Sequence, residues 1–130
     1  MTNRAHYSWL IFRALWELAR YEAIIALRGF GFIQQQLKRQ SPVTQAAQPE
    51  LEQAICNAVL LATCLYWKPV LCLQRSVCAV RLLRTNGIAA KLVIGYRPAP
   101  FFSHAWVEVD GRVVNSSPGY KKRLRVLCTV

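Results

Sequence analysis

Acidic residues are scarce in this chain: six Asp and Glu stand against 17 Lys and Arg, for a net charge of +11 over 130 residues. That excess points to an acidic or phosphate-bearing partner. It comes without a helix-turn-helix, zinc-finger or ribonucleoprotein signature, so nucleic acid is not expected; the alternative is a basic surface that keeps an apolar protein soluble. Histidine is reduced to His6 and His104, far apart in the chain, and no Cys-x-x-Cys pair occurs, which disfavours a metal site. The glycines of Arg28-Gly29-Phe30-Gly31 lack both a Lys-Ser/Thr ending and a preceding strand, so no phosphate cradle and no cofactor are expected. Long apolar runs are missing too. Arg13, Glu17, Arg20 and Glu22 interrupt the apolar N-terminal stretch, and no small-residue cleavage site follows. With an odd count of five cysteines, a reducing cytoplasm is the expected compartment, and Cys56, Cys64, Cys78 and Cys128 read as ordinary small buried residues.

What is present is core-forming material: 54% hydrophobic residues with four Trp, five Tyr and five Phe. No internal repeat is visible. This suits one domain over residues 1–130, with an N-terminal helical region at 1–40 and a second part at 49–130. Ser8 to Leu27 reads as a helix with Arg13, Glu17, Arg20 and Arg28 on one side and a broad apolar surface containing Trp9, Leu15, Trp16, Ile24 and Ile25. The expectation is that this surface packs on the core; a basic amphipathic helix also suits a partner protein or peripheral contact with a membrane surface. Lys38 to Pro49 reads as a polar linker. Leu51, Ile55, Ala58, Val59, Ala62, Leu65 and Tyr66 recur at helical intervals, ending at Trp67-Lys68-Pro69. A further helix opens at Cys72 and closes at Asn86-Gly87. Ala89 to Tyr96, Ser103 to Val109, Arg112 to Ser116 and Leu124 to Thr129 read as strands.

Two residues in this pattern carry chemistry. Cys72 opens the helix Cys72-Leu73-Gln74-Arg75-Ser76, where free N–H groups and the positive end of the helix dipole favour a thiolate. His104 begins the strand-like run His104-Ala105-Trp106-Val107-Glu108-Val109, which leads into the turn Asp110-Gly111. A cysteine leading a helix and a histidine on a later strand meet only in space, the usual arrangement for an intracellular cysteine nucleophile and its base.

This order of pieces resembles the transglutaminase-like cysteine-peptidase superfamily. Cys72 to Ser76, Leu82 to Gly95 and His104 to Asn115 resemble, more narrowly, the leader peptidases of lasso-peptide biosynthesis. The likeness is specific over Pro69 to Ser116, loose over Pro49 to Tyr66 and compositional before that. It implies an α+β fold in which a cysteine-led helix packs on a small antiparallel sheet. It also implies a cysteine peptidase that removes the leader of a ribosomally made precursor, in company with a leader-binding recognition protein and a lasso cyclase. A noncatalytic leader-binding scaffold and another Cys-His acyl transferase are the competing readings.

The chain departs from the resemblance at Ser116, where the family's triad calls for an aspartate. A two-residue Asp110-Gly111 turn puts Asn115 on the His104 face of the hairpin; a three-residue loop with a bulge puts Ser116 there. Either can orient the imidazole. Beside the pair, Gln74 and Arg75 in the first helical turn are candidate substrate-binding residues, with a surface salt bridge as the alternative for Arg75. Trp106 shares the His104 face as a core residue, a shield for the imidazole or part of the substrate site. Glu108 lies one step further along that face.

Overall fold

The computed structural model describes residues 4–39, 49–98, 100–115 and 123–130. Four helices run in order, α1 (Arg4–Leu27), α2 (Phe30–Arg39), α3 (Pro49–Leu65) and α4 (Cys72–Thr85). Four strands follow, β1 (Ala90–Pro98), β2 (Phe101–Val109), β3 (Arg112–Val113) and β4 (Arg125–Thr129), in one antiparallel sheet of order β3-β2-β1-β4. The architecture is α+β, as expected.

Local chemistry explains the boundaries. Gly29, at a φ of 79°, lets the chain leave α1 and re-enter a helix. Lys38 and Arg39 then oppose the dipole at the end of α2, while Pro49, Glu50 and Glu52 suit the start of α3. At the end of α4 the Ile88 N–H reaches the Leu83 carbonyl and the Gly87 N–H reaches that of Arg84, both at 3.0 Å. With Gly87 at φ 82°, this is a Schellman closure. Helix α2 was not expected. Its ten residues with a Gln-rich run carry a weak apolar pattern, and only Ile33 and Leu37 are buried. The expected linker therefore loses Lys38 and Arg39 to α2, and its remainder from 40 to 48 lies outside the described residues.

The core lies between the helices and one face of the sheet. Leu10, Ala14 and Leu18 of α1, Ile55, Val59 and Ala62 of α3 and Val77, Val80 and Leu83 of α4 meet Leu92, Ala105, Val107 and Val109 there. The opposite face of the sheet carries a small second cluster of Val93, Trp106 and Leu124. Gly95 makes room for it: a Cβ at this position would lie 2.7 Å from the Trp106 indole. Helix α1 packs through a narrower stripe than expected. Trp9, Phe12 and Trp16 are each at least half exposed, whereas Glu17, assigned to the polar side, is buried.

Burial of Glu17 is tolerated because α4 meets it with a cation. Arg81 Nε lies 2.8 Å from Glu17 Oε2, and its Nη1 donates to Gln36 of α2. Arg84 ties the same elements through backbone, donating to the carbonyls of Ala90, Leu37 and Val130. Among the described residues no helix is long and apolar enough to cross a membrane. Arg81→Leu should lower stability by about 3 kcal/mol, since it strands a buried carboxylate. Urea unfolding measures this, and a loss under about 1 kcal/mol would show that Arg13, 3.7 Å from Glu17, suffices alone.

Candidate active site at the start of helix α4

Cys72 is the first residue of α4. It follows Leu71 in an extended conformation, with no side chain capping the helix start. Its thiol is half-buried. Two sets of contacts fix how α4 lies along β2. The Ser76 hydroxyl donates to the Ala105 carbonyl at 3.1 Å, and Arg84, near the other end, bonds the carbonyl of Ala90, whose strand partner is Val109. Helix α4 thus runs in the direction of β2. From Ser76 back to Cys72 is about 6 Å of helix rise, or slightly less than two strand residues. Cys72 therefore stands level with Ser103 and His104.

His104 is half-buried on β2, opposite Gly95 of β1. Its ring stacks between Phe102 and Trp106, with centroids 6.4 and 6.1 Å away. Burial, and then the positive charge of Arg75, hold the imidazole below its ordinary pKa of 6.5, so the neutral base is favoured at neutral pH. The thiol and the imidazole share a level without sharing a hydrogen bond among the described contacts. The reason lies in strand parity: Ala105 and Val107 face the helices, while His104 shares the other face with Trp106. The charge of Arg75 acts on the imidazole from the helix layer, and the phenol of Tyr21 on α1 lies within the fields of Cys72 and Cys78. Burial, then Cys78 and then Cys72 raise the Tyr21 pKa.

The hairpin has the two-residue turn. Asp110 and Gly111 adopt φ of 52° and 75°, and Val109 pairs with Arg112 and Glu108 with Val113. Asn115 nevertheless does not take the expected place beside the imidazole. Its Oδ1 accepts from the Val107 N–H at 2.7 Å, and its Nδ2 donates to Ser76 Oγ at 3.1 Å. The parity argument holds only while the ladder continues. Beyond the Val114 to Val107 bond, the side chain of Asn115 substitutes for a backbone partner and turns toward α4. Ser116 lies outside the described residues.

Three further expectations are corrected. Gln74 is buried and donates to the Leu18 carbonyl at 3.0 Å, so it joins α4 to α1 and is not available to a substrate. Trp106 is fully buried, with Nε1 bonded to Glu108 Oε2 at 2.9 Å; it flanks His104 and cannot line a substrate site. Of the four cysteines read as buried, Cys78 is, Cys56 and Cys128 are half-buried, and Cys64 is exposed. Burial, with Glu52 adding to it, pushes the Cys56 thiol up to about 11.

Arg75 remains accessible to a ligand. It lines a cavity of about 170 Å³ between α3, α4 and the end of β3, with Gln53, Cys56, Asn57, Leu60 and Asn115. Sequence reasoning missed this cavity, as it missed Tyr21 and the part Ser76 plays. Ser76 was visible as a polar residue one turn beyond Cys72 on the same face; the residues from α3 gave no signal. Among the described residues no group of three His, Cys, Asp or Glu is placed to hold a metal ion.

A helix led by cysteine, packed along a strand that bears His-Ala-Trp-Val-Glu-Val, is the arrangement of one broad class of Cys-His enzymes and their relatives. The chain belongs to the transglutaminase-like superfamily, whose sequence profile matches residues 17–129. It is also similar to the microcin J25-processing protein McjB of Escherichia coli, with 44% identity over 59 residues. That stretch is 45% of this chain and 28% of the Escherichia coli protein. No solved structure matches.

The Ser76 hydroxyl, fully buried, is bonded on both sides. Ser76→Ala should cost about 1–3 kcal/mol by leaving the Asn115 amide and the Ala105 carbonyl short of a partner. Ser76→Thr, which keeps the hydroxyl, should cost less if the methyl is accommodated. Equal unfolding midpoints for wild type and Ser76→Ala would count against this account of the seam.

Proposed function

We propose that this protein is a cytoplasmic cysteine peptidase, a single domain that removes the leader from a ribosomally synthesised lasso-peptide precursor. The observation that carries the reading is Cys72 at the start of α4, level with His104 on β2. Similarity to a microcin J25-processing protein supports the substrate class.

In the proposed reaction His104 takes the thiol proton as Cys72 Sγ attacks the scissile carbonyl carbon. The backbone N–H groups at the start of α4 receive the charge on the carbonyl oxygen. Collapse of the tetrahedral species expels the leaving amine, which takes the proton from His104. Water, deprotonated by the same imidazole, then hydrolyses the thioester and frees the leader carboxylate and the thiol. Because His104 lies on the face of β2 away from α4, the proposed transfer includes a movement that brings the imidazole past the strand to the thiol when substrate binds. Asn115 acts here as a positioning residue, fixing β2 against α4 through Val107 and Ser76. Ser116, where the aspartate of the triad is expected, is the proposed direct partner of His104.

The exposed Trp9, Phe12 and Trp16 of α1, beside Arg13, suit a docking face for the leader-binding protein or the cyclase. The same exposed face and the serine at 116 favour a second reading, a scaffold that binds the leader without cutting it. Cleavage by the native protein with its partners present separates the two.

Cys72→Ala should abolish cleavage while leaving the fold and partner binding intact. In the native protein iodoacetamide should modify Cys72 ahead of the more exposed Cys64. Full turnover by the alanine variant, or preferential modification of Cys64, would remove Cys72 as the nucleophile.

The pH profile tests His104. A neutral imidazole is the competent form, so kcat/KM is retained above the His104 pKa and lost below it. Its acid limb should fall below pH 6.5. Arg75→Gln removes the smaller of the two causes and should move the limb upward, toward but not past that value. A limb that stays in place in the variant would show that Arg75 does not act on the base.

A further inference from the structure

The structure assigns a second role to the cavity between α3 and α4: we propose that it is a carboxylate-binding subsite that receives an acidic side chain of the peptide substrate close to the scissile bond. The inference rests on the peptidase reading above, and it deepens that reading by naming a substrate feature.

Arg75 makes the cavity cationic. Among the described residues its guanidinium has no carboxylate partner, and its Nε is buried without a hydrogen bond. Every other arginine that α4 buries is engaged, Arg81 with Glu17 and Gln36, Arg84 with three carbonyls. A buried guanidinium donor left open is costly unless a ligand meets it. The remaining lining adds donors without adding negative charge. Gln53 and Asn57 of α3 bond one another at 2.9 Å, with Gln53 donating to the Asn57 oxygen, so the Asn57 amide N–H groups stay free to donate. Cys56 keeps its proton at neutral pH. Glu52, the carboxylate that acts on Cys56, is paired with Arg112 at 3.4 Å.

Size and place agree with this role. About 170 Å³ is ample for a carboxylate and its methylene stem. Helical spacing puts Arg75 and Cys72 one turn apart on adjoining faces of α4, and Arg75 also acts on His104. A carboxylate on Arg75 would therefore belong to a residue near the bond being cut. The planar guanidinium suits a two-pronged contact with such a group, which an amide of the same shape cannot match.

The test uses small probes and the full chain. N-acetyl-aspartate is titrated into the isotope-labelled protein while the side-chain amide signals of Gln53 and Asn57 are followed by NMR. Saturable shifts are expected. N-acetyl-asparagine should bind roughly tenfold more weakly, as the charged hydrogen bonds are lost. Arg75→Gln should abolish the response, and Arg75→Lys should retain part of it. Absent or unsaturable shifts, equal binding of the two probes, or an unchanged response in Arg75→Gln would each overturn the proposal. If Arg75→Gln fails to fold, the comparison of aspartate with asparagine on the native protein decides alone. Binding is read without turnover, so failure of the peptidase reading leaves this result standing, and a silent cavity leaves the chemistry at Cys72 untouched.

Discussion

The hydroxyl of Ser76 joins the two layers from which the site is built. It donates to the Ala105 carbonyl in the middle of β2 and accepts from the Asn115 amide, whose oxygen holds the next free N–H of β2 at Val107. Without this seam, the Cys72 end of α4 would rest on the sheet mainly through apolar contacts, which resist separation far better than sliding, because dispersion is weakly directional; Arg84 ties only the other end. Three hydrogen bonds of fixed length remove the freedom to slide. The height of Cys72 against His104 follows from that constraint and from the helix rise.

The rest of α4 divides its circumference among separate tasks. Gln74, Cys78 and Arg81 face α1, through the Leu18 carbonyl, the neighbourhood of Tyr21 and the Glu17 carboxylate. Arg84 faces α2 and β1, where it closes carbonyls of both. Arg75 and Ala79 line the cavity against α3. One helix therefore carries the proposed nucleophile at its first residue and, behind it, the ties that hold that residue still. Two arginines of a very basic chain are used as internal connectors; Arg81 is cancelled by Glu17, and Arg84 is bonded to carbonyls.

What was legible in the sequence follows the range of the forces concerned. Helices α1, α3 and α4 show in their periodicity, and the C-terminal stop at Asn86-Gly87 and the Asp110-Gly111 turn show in local chemistry; these signals act within a few residues. Helix α2 was missed because ten residues with two buried side chains leave almost no pattern. The Glu17–Arg81 pair joins positions 64 residues apart, and nothing near Glu17 distinguishes a buried acid from one on a solvated stripe. Asn115 is instructive in another way. Of the two turns left open, the two-residue one formed and gave the register expected of it, but the parity rule assumes a continuing ladder, and the side chain ended it by bonding the strand itself.

Strand parity also governs the site. In the proposed reaction a histidine on the face opposite the helix acts past the margin of β2, the margin that β3 pairs at Glu108 and Val109 and that Val114 and Asn115 bond at Val107. The charge of Arg75, on α4, acts on the imidazole from the helix side. A peptide lying along the same margin would pass the thiol, the imidazole and the guanidinium in turn. The proposed reading thus calls for an extended substrate held beside β2, with its charge read by α4, in place of a compact ligand enclosed between the layers.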